Sequence, residues 1–207
     1  MSSQRTLELS YPFSGRWLVQ NSPANRVPSH GAALFASSFA IDFVPVDEQG
    51  RSAPMTLASF LKPESPAHFV GYGRPIFSPC AGRVIAVENS LADHPAYRGI
   101  PSLKYALTQR ERAAAGWKAL AGNHIMIQTD EAIVALCHLQ QHSVPFEAGE
   151  ELSAGETVGA CGNSGNSTEP HLHLQAFTAL PIASAQGLPV RFGESVPRNG
   201  TLVGDDK

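Results

Sequence analysis

The stretch GNHIMIQTDEAIVALCHLQ, Gly122–Gln140, decides the fold. Its two apolar, β-branched runs flank the polar pair Thr129-Asp130, so they predict two strands joined by a hairpin. Upstream, FAIDFVPVD (39–47) alternates apolar with small or acidic residues and is bounded by proline, which places Asp42 inside a strand. RPIFSPCAGRVIAVENS (74–90) reads as a short strand, a Pro-Cys-Ala-Gly turn and a second strand through Val84, Ala86 and Glu88. Downstream, FEAGEELSAGETVGACGNSGNS (146–167) is a run of short strands punctuated by glycine. Together these strands predict a β-meander.

One stretch breaks the pattern. SLKYALTQRERAAAGWKAL, Ser102–Leu120, is rich in helix formers and carries apolar residues at Leu103, Ala106 and Leu107, so it predicts a helix. The preceding LADHPAYRGIP (91–101) is loop-like. The expected architecture is all-β, or β-rich. An antiparallel sheet or sandwich in a single domain (1–207, core about 12–180) carries one helical insertion at about 91–121.

Composition narrows the partners. The formal net charge of −3 and pI near 6.2 provide no basic footprint for nucleic acid, and no Lys/Arg run suggests a membrane surface. The amino-terminal residues lack the apolar core of a signal peptide, and no stretch is long and apolar enough to span a bilayer. The expected location is cytoplasmic for the chain as written, or the cell envelope if a leader has been removed. Cys80, Cys137 and Cys161 are odd in number and form no C-x-x-C pair, so free, mostly buried thiols are expected instead of disulfides or a thiolate metal site.

The histidines carry the chemistry. In PHLHLQAF (170–177) a strand would turn His171 and His173 to one side and Leu172 and Leu174 to the other, which suits a metal ligand beside a catalytic base. His138 and His142 are spaced like the pair of a helical H-E-x-x-H site, but Leu139 stands where the glutamate is needed and the preceding IVALC has strand character. His138 is thus expected to reach the site alone, and His142 to be solvated. His30 and Asp42, with one histidine of the H-x-H pair, make two imidazoles and a carboxylate. With a fourth position left to water, that is the makeup of a catalytic Zn2+ site. His68, His94 and His124 read as loop or strand histidines outside it.

Four pieces occur in order: SH (29–30) with AIDF (40–43), GRPIFSPCAGRVIAV (73–87), ALCHL (135–139) and GACGNSGNSTEPHLHLQ (159–175). In this the sequence resembles the lysostaphin-like (LytM-type) zinc metalloendopeptidases over about 29–177. The resemblance implies that fold and a Zn2+ ion held by His30, Asp42 and His173. It also implies that His138 and His171 line the scissile bond, one taking the water's proton or stabilising the oxyanion; His171 is favoured as base and His138 as stabiliser. The implied substrate is a peptide of peptidoglycan, in its stems or cross-bridges, cut in a narrow groove between loops. Where the family commonly has a histidine four residues before the aspartate, this chain has Ser38, so the place falls to His30 and the loop between must fold back. The alternative function is a noncatalytic binding or hydrolase-activating module on the same fold. The insertion is expected to be either one wall of the groove or an inert elaboration.

Overall fold

The computed structural model describes residues 6–204. In it the apolar runs become strands whose alternate side chains part to two faces. In chain order they are β1 (Leu7–Leu9), β2 (Trp17–Gln20), β3 (Ile41–Pro45), β4 (Pro75–Phe77), β5 (Gly82–Glu88), β6 (Asn123–Gln128) and β7 (Ile133–Leu139). The remainder are β8 (Glu151–Leu152), β9 (Thr157–Ala160), β10 (Leu172–Phe177), β11 (Gly187–Leu188), β12 (Val190–Phe192) and β13 (Leu202–Val203). One antiparallel sheet runs β13-β2-β3-β10-β7-β6-β5-β8, with β11 also on β10. Two small pairs, parallel β1–β12 and antiparallel β4–β9, stand outside it.

The alternation sorts the core. Ile41, Phe43, Ile125, Ile127, Val134, Leu136, Leu172 and Leu174 point to one face, where they pack with Trp17, Ile76, Val158 and Val190 in the main hydrophobic cluster. Both small strand pairs thus cover that face. The opposite face is thinner and is built from Met126, Ile133, Ala135, Cys137 and Phe177, with Trp117 and Phe35 against them. Cys137 and Cys161 are buried, Cys80 is half-buried, and all three are unbridged thiols.

The expected β-rich, antiparallel architecture is what forms, with two corrections. The meander holds for β5, β6 and β7. β4 leaves it, because β8 occupies the other edge of β5 and the returning chain brings β9 beside β4. The second correction concerns the insertion between β5 and β6. The single helix expected over Ser102–Leu120 is three short ones, introduced here after an unforeseen α1 (Leu57–Leu61): α2 (Ile100–Leu107), α3 (Gln109–Ala114) and α4 (Trp117–Ala121). The first break falls at Thr108, whose φ of −94° and ψ of 6° leave the helical region and whose hydroxyl donates to the Tyr105 carbonyl. The second is Gly116 at φ 96°, a conformation glycine takes without steric cost. Helix α1 is closed by a reciprocal cap between Thr56 and Ser59. Among the described residues no helix is long and apolar enough to cross a membrane.

Candidate metal centre and its cleft

β10 lies between β3 and β7, and its register sets His173 opposite Asp42 on one side and Cys137 on the other. His171 stands two residues earlier, just before the strand, so both rings turn to the thin face as alternation requires. Asp42 and His138 are almost fully buried, at 5% exposure each.

His138 reaches the same face by a different device. Regular alternation from Val134 and Leu136 would send it into the main core. Between Asn123 and His124 the β6–β7 register shifts, leaving His138 as the extra residue of a bulge at φ 63°. The bulge re-aims the side chain into the cleft, and Leu139 then returns to the core. A left-handed conformation outside glycine costs about 1 kcal/mol or more.

His30 arrives on a folded-back loop. A 3-10 segment, Leu34–Phe39, kinks through left-handed Phe35 and Ala36 at φ 51° and 61° and returns the chain to β3. Ser29 anchors the turn by donating its backbone N–H to the Ser38 carbonyl. Ser38, at the position where the resemblance expects a histidine, therefore helps to hold the loop that brings His30 in. Gln175 ties this loop to the floor, its Nε2 donating to the Phe35 carbonyl at 3.0 Å.

The hydrogen bonds fix where protons sit. That bond orients the Gln175 amide, so its Oε1 accepts from His173 Nε2 at 3.0 Å. A neutral His173 then has a bare Nδ1, and it faces Asp42 Oδ1 at 2.9 Å. The arrangement repeats at His30. Ser29 Oγ lies 3.3 Å from the Ser37 carbonyl and 3.0 Å from His30 Nδ1; in the tautomer in which it donates to that carbonyl and accepts from Nδ1–H, Nε2 is turned bare toward Asp42 Oδ2 at 3.0 Å. Lone pairs facing a carboxylate at these distances repel unless a cation, either a proton or a metal, lies with them. Burial alone would lower His30 and raise Asp42; their attraction overrides it, raising the imidazole and holding the carboxyl well below its usual range. The Asn21 amide adds a bond to Asp42 Oδ2 at 2.7 Å.

These donors fit a divalent cation. One atom each from His30, Asp42 and His173 lie within 4.8 Å of one another, and two imidazoles with one carboxylate match the preferences of zinc while leaving a position open toward the cleft. The other two rings are differently held. His138 Nδ1 donates to the Ser164 carbonyl at 2.9 Å and His171 Nδ1 to the Glu169 carbonyl at 2.8 Å, so each presents Nε2 as an acceptor. The rings are 4.7 Å apart. Burial, followed by the neighbouring histidines, holds His138 well below its ordinary pKa and therefore neutral.

All five expected residues line one cleft of about 370 Å³. His68, His94, His124 and His142 do not line it. One wall is the 3-10 segment, through Leu34 and Phe35; the other is α2–α4, through Tyr105, Arg112, Trp117 and Leu120. The sequence reading missed Asn21 and Gln175. A signal existed for Gln175, which is two residues beyond His173 and so on its face, whereas Asn21 meets Asp42 only through the pairing of β2 with β3. The glycine-rich loop packs tightly behind the histidines: a Cβ on Gly162 would lie 2.4 Å from Gln140 backbone, and Gly165 has φ 73°.

Residues 106–189 match the model of peptidase family M23. Peptidoglycan DD-endopeptidase ShyA of Vibrio cholerae serotype O1 is 28% identical over 78 residues, which are 38% of this chain and 18% of its own length. The chain thus aligns with less than a fifth of that curated relative. Among solved structures, the catalytic domain of the prophage-encoded M23 protein EnpA from Enterococcus faecalis is 19% identical with a TM-score of 0.42, over 72% of this chain and 73% of that one. The catalytic domain of lysostaphin from Staphylococcus simulans is 14% identical with a TM-score of 0.41, over 84% and 88%. His138, His171 and His173 lie inside the family match; His30 and Asp42 precede it. The segment that carries the histidine strand, less than half of the chain, thus matches peptidase family M23, the lysostaphin-like family that the four sequence pieces resemble.

Proposed function

We propose that the protein is a zinc-dependent endopeptidase that hydrolyses peptide bonds in the stems or cross-bridges of peptidoglycan. One observation carries this reading: two imidazoles aim ring nitrogens at one buried carboxylate at 2.9 and 3.0 Å, with one atom from each of the three residues within 4.8 Å of the others, an arrangement that suits a cation. The ion's holders would be His30 Nε2, Asp42 and His173 Nδ1, with Gln175 and Ser29 fixing the two rings from behind. Bound zinc supplies Lewis acidity toward the peptide carbonyl and lowers the pKa of its water to about 7.

The rest falls to the chain's own residues. His171 Nε2 lies 3.9 Å from Asp42 Oδ1, so a proton taken there from the attacking water forms an imidazolium facing a carboxylate. The same ring can return that proton to the leaving amine. His138, neutral and with its Nδ1–H committed to Ser164, offers an acceptor at Nε2. It is therefore suited to orienting the water or a substrate N–H, while donating to an oxyanion would need a second proton that burial opposes.

Purified protein is expected to hold about one zinc per chain and to cleave crosslinked muropeptides until a chelator is added. Replacing His30 by Ala should deplete the zinc more than about a hundredfold in affinity, beyond the usual loss for an outer-sphere partner. Intact, zinc-loaded protein that leaves a broad muropeptide panel uncut would sink the proposal.

A further inference from the structure

The helical wall carries a charge that the chemistry of the floor does not use. Among the described residues, Asp42 and Arg112 are, histidines aside, the ionised residues lining the cleft. Asp42 is matched by His30, His173 and Asn21. The hydrogen-bond partners of Arg112 are all neutral: Nε donates to Asn166 Oδ1 and Nη1 to Thr108 Oγ1, both at 2.6 Å, and Nη2 to the Tyr105 carbonyl at 2.8 Å. Its guanidinium carbon stands 3.7 Å over the Tyr105 ring, which stacks on Tyr97 at 4.6 Å, which in turn stacks on His94 at 5.5 Å.

This is a guanidinium fixed before any ligand arrives. Three of its five N–H donors are engaged, leaving one on each terminal nitrogen, and a planar fork with a free donor at each tip suits a carboxylate. A long side chain already immobilised loses little further entropy on binding. We propose that Arg112 binds a free carboxylate of the substrate, so that the cleft selects acidic peptides over their amidated counterparts. The assignment rests on reading the cleft as a peptide site, and it makes the inserted helices a specificity element. The competing role for Arg112 is purely architectural, tying α3 to the glycine-rich loop through Asn166.

Two ligand pairs separate these roles. An uncrosslinked tetrapeptide stem, with its carboxyl groups either free or converted to carboxamides, is titrated calorimetrically into the zinc-loaded protein and its Arg112→Gln and Arg112→Lys variants. The acid form should bind the unmodified protein about tenfold more tightly than the amide. Arg112→Gln should erase that preference by weakening only the acid, and Arg112→Lys should keep part of it. Equal binding of both forms by the unmodified protein would overturn the proposal, as would a parallel loss of both in Arg112→Gln accompanied by a lower melting temperature. Cleavage of a crosslinked dimer, again as acid and amide, is measured separately. If neither dimer is cut while the binding preference stands, the peptidase reading fails and the carboxylate site survives.

Discussion

The floor of the cleft and its helical wall are built by opposite means. The floor is β3, β10 and β7, each paired on both sides, and its side chains are held by buried hydrogen bonds to backbone and amide groups. The wall is three helices of five to eight residues with apolar side chains left in solvent, Leu103 at 68% and Leu107 at 83% exposure. Short helices of this kind have little stability of their own. The wall is fastened to the glycine-rich loop ahead of β10, at Gly165, whose carbonyl accepts from Tyr105 Oη at 3.0 Å and lies 3.0 Å from His94 Nε2, and at Asn166 through Arg112. On the proposed reading the contrast separates labour: Asp42, His138 and His173 sit on the sheet, with His171 just before it and His30 on a loop tied back to it, while the group that chooses among ligands sits on an element that can vary without disturbing them.

The division can be broken from either side. On the floor, Asp42→Asn removes the charge on which the two bare nitrogens converge, and it should lower both zinc affinity and kcat/KM more than about a hundredfold with the sheet retained. Metal analysis and circular dichroism check the two halves of that statement. His138→Ala and His138→Gly should each lower turnover about a hundredfold. The glycine variant should nevertheless unfold about 1 kcal/mol later than the alanine variant, because only glycine adopts φ 63° freely. Equal stabilities in urea would remove strain from the account of the bulge. On the wall, Tyr105→Phe loses the hydroxyl bond to Gly165 and the longer contact with His94 Nε2 at 3.4 Å, and should cost about 1 kcal/mol, raising KM while kcat stays put. A fall in kcat of the size seen for His138 would mean that the wall takes part in the chemistry.

The same division governs what could be read in advance. β3, β6, β7 and β10 are written as period-two runs, and because alternation also aims side chains, the H-x-H pair and Asp42 were legible as one cluster. His30 was legible by residue type and by the resemblance but not by position, since nothing in VPSHGAALFASS (27–38) announces two left-handed residues that return the loop to the sheet. Parity misleads at His138, because an inserted residue reverses facing and a bulge depends on both strands of a pair. The helical stretch was right in kind and wrong in continuity: propensity summed over Ser102–Leu120 hides a single glycine and a threonine whose hydroxyl competes for a backbone carbonyl. Asn21 and Gln175 are not legible in this way, because an amide that orients a carboxylate or an imidazole carries no ligand signature of its own.

The pairing of β3 with β10 also bears on how the protein should be handled. A fragment cut to the family match, residues 106–189, would keep His138, His171 and His173 but lose His30, Asp42 and the strand that closes one side of β10. Leu172 and Leu174 would lose the Trp17, Ile41 and Phe43 side of their cluster. Such a fragment would expose a bare, apolar strand edge of the kind that seeds aggregation. Expression boundaries are better drawn ahead of β1, whose Leu7 and Leu9 belong to the main cluster, than at the edges of sequence similarity.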